Sequence, residues 1–134
     1  MREFGDFQTP ELLAQLVVEK LKALDFQRIF EPTCGTGNLL EQARKVYPNA
    51  EMLGIELQES HFRAASLRFA QDPLTRVLNR NIFDIERLEW TKDGSLLVLG
   101  NPPWVTNAEL SRLSSLNLPL KSNKLGGGLS ALTG

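Results

Sequence analysis

Alternating strand-like and helix-like segments predict an α/β fold built on a mostly parallel sheet of about four strands. Three observations carry this expectation. Arg28-Ile29-Phe30 runs into a loop with two glycines and then into apolar residues at helical spacing. Glu51-Met52-Leu53-Gly54-Ile55 reads as the next strand and closes on an acidic residue, Glu56. Late in the chain, Ser95-Leu96-Leu97-Val98-Leu99-Gly100 reads as a buried strand and delivers Asn101-Pro102-Pro103-Trp104. Parallel neighbours need crossover connections, so the helices fall between the strands.

The elements follow in order. Thr9 and Pro10 suit a helix start, the first as cap and the second at the first helical position. Leu12, Leu13, Leu16, Val17, Leu21 and Leu24 then form an apolar stripe that ends near Asp25. After the first strand and its loop, Leu39, Leu40, Ala43, Val46 and Tyr47 mark a second helix, and Tyr47-Pro48-Asn49 a turn. A third helix over 58–69 places Phe62, Ala65 and Phe69 on one face, and Asp72-Pro73 breaks it. A short strand is expected over 76–78. Residues 81–90 read as a loop with a helical turn, and Lys92-Asp93-Gly94 turns into the last strand. Beyond Trp104, 107–116 suits a short helix. Residues 121–134, rich in Gly, Ser and Lys, suit a mobile loop or frayed end. There is no internal repeat and no domain linker.

The loop Glu31-Pro32-Thr33-Cys34-Gly35-Thr36-Gly37-Asn38 lets the backbone turn tightly and approach a ligand. A dinucleotide fingerprint would place a third small residue at position 40, which is Leu, so a pyrophosphate loop is disfavoured. Glu31 also opposes a phosphate and suits a cationic ligand. Glu56 lies 19 residues after Gly37, where an acidic residue accepts from ribose hydroxyls. The Asn101 carboxamide and a backbone carbonyl of the Pro-Pro segment can both accept from one amine, in a frame that proline stiffens. Trp104 offers a flat face to a planar base.

Together these motifs resemble S-adenosylmethionine-dependent DNA methyltransferases that act on the exocyclic amine of adenine, of the restriction–modification type. The resemblance runs from Phe7-Gln8-Thr9-Pro10 to Asn101-Pro102-Pro103-Trp104. It implies a Rossmann-like methyltransferase fold, with S-adenosyl-L-methionine as cofactor and DNA as partner. It implies that Phe7, Thr9 and Pro10 close over the cofactor's methionine part. Glu31, Thr33, Gly35 and Gly37 would hold the amino acid and sulfonium, with Glu31 near the ammonium. Glu56 and Leu57 would meet ribose and adenine. Asn81-Ile82-Phe83 would edge the adenine; relatives commonly place Asp where Asn81 stands, which leaves Asn81 and Asp84 as rivals for that contact. Asn101, Pro102, Pro103 and Trp104 would receive the target base. An amine of RNA or a glutamine amide of a protein is the alternative substrate, and a non-catalytic cofactor-binding module the alternative class.

Composition bounds the rest. A length of 134 residues, 42% of them hydrophobic, allows one domain with a core. The formal net charge of −1 is too low for a protein that grips a DNA backbone alone. The gripping surface is therefore expected outside this chain, which reads as the amino-terminal part of a catalytic domain, inactive by itself. Its sheet would end in an exposed edge, with an apolar helix face nearby, both suited to another copy or another chain. No stretch is long and apolar enough for a membrane span, and one cysteine allows no internal disulfide, which fits the cytoplasm. Cys34 is expected to be a small loop residue rather than a nucleophile, and His61 a helix-surface residue. No metal cluster is expected.

Overall fold

Strand β1 (Arg28–Glu31) lies inside the sheet, with β2 (Glu51–Glu56) on one side and β4 (Leu96–Val98) on the other. The computed structural model describes residues 8–85 and 94–102. Strand β3 (Thr75–Asn79) flanks β2, so the order is β3-β2-β1-β4 and every pairing is parallel. The chain builds outward from β1 to β3 and then returns to the far side of β1. That reversal opens a crevice at the carboxyl ends of β1 and β4, where open α/β sheets bind their ligands.

Register explains the two faces of the sheet. Ile29 is opposite Met52 and Leu97, and these join Val18, Leu40, Ala43 and Leu99 in one apolar core. The helices α1 (Glu11–Leu21) and α2 (Asn38–Val46) supply its other wall. Phe30 is opposite Leu53 and Val98; Phe30, Leu53 and Ile55 form a second cluster on the reverse face, with Leu78, Ile82 and Ile85 against it. Alternation along β1, β2 and β3 therefore feeds both cores.

The expected α/β fold is present, and three of its details differ. Pro10, not Thr9, occupies the position before the first helical residue, and no side chain caps the helix there. Thr9 instead gives its carbonyl to the Asn38 amide. Most of the leucine stripe of α1 turns away from the core: Ala14 and Val18 are fully buried, whereas Leu12 is 68%, Leu13 49% and Leu16 54% exposed, and Leu21 packs against the core. Leu24 lies past the helix end, which comes at Leu21. The small Ala14 lets α1 lie close, and the Tyr47 hydroxyl ties its end by donating to the Leu21 carbonyl at 2.7 Å. The last strand is not buried either. Val98 is 57% exposed, because β4 is the edge strand among the described residues.

The third helix, α3, spans Glu59–Arg68 and buries Ala65, with Phe69 closing its end. Residues 107–116 and 121–134, expected as a helix and a loose end, lie outside the described residues.

At the amino ends of β2 and β3, Arg44 holds the turns together. It donates five hydrogen bonds: to Asp72, to Thr75, and to the carbonyls of Tyr47, Pro48 and Ala50. Asp72 also accepts from the Thr75 hydroxyl and the Leu74 amide. Partial burial works against the Asp72 carboxylate, but these donors outweigh it and hold its pKa below the ordinary value.

Candidate functional site

At the opposite end, the strands converge on a cavity of about 350 Å³. Strand β1 ends in Glu31 and β2 in Glu56, and both carboxylates line it. The ends are tied in register: the Cys34 amide donates to the Ile55 carbonyl, and the Leu99 amide to the Phe30 carbonyl. Asn101, three residues past β4, thereby opens onto the same cavity.

The loop after β1 turns through Gly35 at φ 55° and Gly37 at φ 87°, both left-handed conformations that favour glycine. Gly37 precedes the first residue of α2, and its bare Cα faces Phe69, which a Cβ would meet at 2.7 Å. Glu56 accepts from the Gly35 amide at 2.8 Å through one oxygen and from the Gln58 amide at 2.7 Å through the other. A carboxylate can accept about four hydrogen bonds, so it keeps capacity for two hydroxyls.

Glu31 is almost wholly buried, and its Oε2 is without a hydrogen-bond partner. Burial pushes its carboxyl well above the ordinary value; the Glu56 charge adds to this and the Leu40 amide opposes it. The Thr33 hydroxyl beside it is also buried and unpartnered. Buried polar atoms are nearly always paired, so this pair of vacant acceptors fits a polar, cationic ligand group. Burial likewise pushes the Cys34 thiol up, reinforced by Glu31 and Glu56, and leaves it without thiolate character.

Among the expected residues, Thr9, Glu31, Thr33, Gly35, Glu56, Leu57, Asn81, Ile82 and Asn101 all line the cavity. Pro10, Gly37, Asp84 and Pro102 are described but lie outside that lining. Phe7, Pro103 and Trp104 lie outside the described residues. Asn81 Oδ1 accepts from the Phe83 amide at 3.0 Å, which starts a 3-10 turn (Ile82–Asp84) and aims Ile82 and Phe83 at the rim. Of the two rivals, Asn81 reaches the cavity lining and Asp84 does not.

The sequence reading missed Gln8, Asn38 and His61 as lining residues. Gln8 was visible within the Gln-Thr-Pro motif. His61, on α3, is half-buried, with Nδ1 3.4 Å from the Gln8 amide nitrogen. Among the described residues no group of side chains could hold a metal ion, and no helix is long and apolar enough to cross a membrane.

A parallel sheet with a glycine loop after β1, an acid at the end of β2 and the order reversal beside β4 defines a Rossmann-like methyltransferase fold. Solved structures share it. A modification subunit assigned to a type I restriction enzyme of Vibrio vulnificus YJ016 superposes with a TM-score of 0.63 at 18% identity, over 78% of this chain and 25% of that one. A Pyrococcus horikoshii protein assigned as an RNA methyltransferase does so at 0.59 and 15% identity, over 75% of this chain and 50% of that one. At such identities the likeness speaks for the fold.

Sequence narrows the class. Residues 1–115 match the family of N-6 DNA methylases. The type II methyltransferase M.NspV of Nostoc sp. (strain ATCC 29411 / PCC 7524) is 36% identical over 146 residues, 98% of this chain and 29% of that protein. M.CvrRI of Paramecium bursaria Chlorella virus XZ-6E, another type II methyltransferase, is 35% identical over 76% of this chain and 25% of its own length. The chain belongs to the N-6 DNA methylase family, whose cofactor is S-adenosylmethionine. It spans under a third of the length of these curated relatives.

Proposed function

We propose that this chain carries the cofactor site and the target-amine motif of a restriction–modification methyltransferase that methylates the exocyclic amine of adenine in DNA. The observation that carries the reading is Asn101 opening onto the cavity that Glu31 and Glu56 line. Bound there, S-adenosylmethionine supplies an activated methyl group on a sulfonium. Glu31 and Thr33 hold its ammonium end with the acceptors that are otherwise vacant. Glu56 accepts from the ribose hydroxyls, and Leu57, Asn81 and Ile82 border the adenine.

The chain's own part in the chemistry is orientation. An aromatic amine is a poor nucleophile because its lone pair is shared with the ring. Asn101 and the Pro102 carbonyl accept the two amine hydrogens, which favours a pyramidal nitrogen with a localised lone pair. The base must leave the duplex to reach these acceptors. The near-neutral charge leaves the duplex-gripping surface to other parts of the whole protein. The exposed leucines of α1 and the β4 edge suit association with a further chain, a second copy included.

Calorimetric titration with S-adenosylhomocysteine tests the cofactor half: Glu56→Ala is expected to weaken binding by about 1.5–3 kcal/mol. For the chemical half, Asn101→Ala in the whole protein is expected to abolish methyl incorporation into duplex DNA with cofactor affinity kept. Near-normal turnover in that variant defeats the amine-acceptor assignment.

A further inference from the structure

The cavity's glycine loop is not held by its own residues alone. Gln8, at the amino-terminal end of the described chain, places its side-chain oxygen 2.9 Å from the Thr36 amide nitrogen and 3.2 Å from the Thr36 hydroxyl. Its amide nitrogen faces His61 Nδ1 at 3.4 Å, on the first turn of α3. The next residue, Thr9, accepts at its carbonyl from Asn38 Nδ2 at 2.7 Å, and Arg68 of α3 donates to the other end of that amide. The segment before α1 is thus fastened both to the loop and to the start of α2.

Gly35 makes room for this contact. A Cβ there would stand 2.3 Å from the Gln8 oxygen. A flexible amide can swing away from such a methyl, but only by abandoning both Thr36 bonds. The absence of a side chain at position 35 therefore serves two ends: it permits φ 55°, and it admits the Gln8 amide. Gly35 in turn donates its amide to Glu56. A displaced loop would consequently disturb the carboxylate that the ribose reading depends on.

We propose that Gln8 is a positioning residue: its side-chain oxygen clasps Thr36 and sets the glycine loop in the conformation that binds the cofactor. This rests on the functional reading above. Cofactor affinity depends on the clasp while global stability scarcely does, because Gln8 is only partly buried and lies outside both cores.

Two measurements on the full 134-residue chain test it. Hydrogen exchange in the ligand-free protein reads the clasp directly: Gln8→Met, similar in length but with only a weakly accepting sulfur in place of the carbonyl, is expected to lose the protection of the Thr36 amide while core amides keep theirs. Titration with S-adenosylhomocysteine is expected to show about a five- to tenfold loss of affinity in the same variant. A cycle with Gly35→Ala adds a signature that a merely structural role would not give. Gly35→Ala should weaken binding several-fold less in a Gln8→Ala background than in the parent, since the amide it evicts is already gone. Additive effects, or unchanged affinity in Gln8→Met, overturn the proposal. If the unsubstituted chain fails to bind the cofactor while Thr36 is protected by Gln8, it is the functional reading that fails.

Discussion

The two ends of the sheet handle polar groups withdrawn from solvent in opposite ways. At the amino ends of β2 and β3, Arg44 and Asp72 bond to each other, to Thr75, to the Leu74 amide and to turn carbonyls. At the carboxyl ends, Glu31 Oε2 and Thr33 Oγ1 are buried with no partner. A satisfied network adds stability and fixes the turns, whereas an unsatisfied one lowers it and keeps capacity for a ligand. The same fold thus pairs a saturated end with an open one, and the proposed cofactor site is at the open end.

Breaking the saturated end should have the largest effect. Arg44→Met keeps the stem but strands a carboxylate and several carbonyls, and is expected to cost about 2–4 kcal/mol in denaturant unfolding. Cofactor affinity of the folded fraction should stay at the parent value. A comparable loss of affinity would show that the two ends are not separable.

The open end should respond in the reverse sense. Glu31→Gln removes a buried ionisable group, so the free protein is expected to gain on the order of 1 kcal/mol while cofactor affinity falls roughly tenfold or more. A variant that is both less stable and equally tight in binding would refute the assignment of Glu31 to the ligand.

The smallest effect is a difference in pH dependence. The folded-state pKa of Glu31 is raised, so its contribution is full in acid and is lost as pH climbs past 4.5, the ordinary value, toward the folded one. That of Asp72 is lowered, so its contribution is present above its ordinary 3.8 and is lost as pH falls through the folded pKa. The stability gap between Glu31→Gln and parent should therefore widen with rising pH, and the cost of Asp72→Asn should shrink in acid. Parallel stability curves for parent and both variants would contradict the pairing.

What the sequence disclosed of this comparison was uneven. Strand, loop and helix around Gly35 were legible because period-two and period-3.6 patterns meet at glycines, and Glu56 stood where a βαβ unit puts an acid. The orientation of α1 was not, since Ala14 and Val18 lie at helical spacing as well as the leucines, and packing against α2 decides between them. An exposed sheet edge was expected, but the apolar run of β4 reads as buried, because such a run cannot tell an edge strand from a central one. The Arg44 network joins residues up to 31 positions apart, and Gln8 meets Thr36 across 28. Such contacts follow from topology and leave no local pattern.

Gly54 in the middle of β2 carries a practical consequence. A Cβ there would lie 2.8 Å from both Cys34 Sγ and Leu40 Cδ1, so the thiol packs against bare backbone. Cys34 is the chain's one cysteine, and it is 4% exposed with a thiol that resists ionisation. Cys34 borders the cavity, but its thiol packs against β2, so a thiol-specific reagent is expected to react mainly when β2, the loop and α2 part. The protein thus contains its own probe of opening at the loop: the rate of alkylation under native conditions reports how often that junction comes undone, without any introduced label.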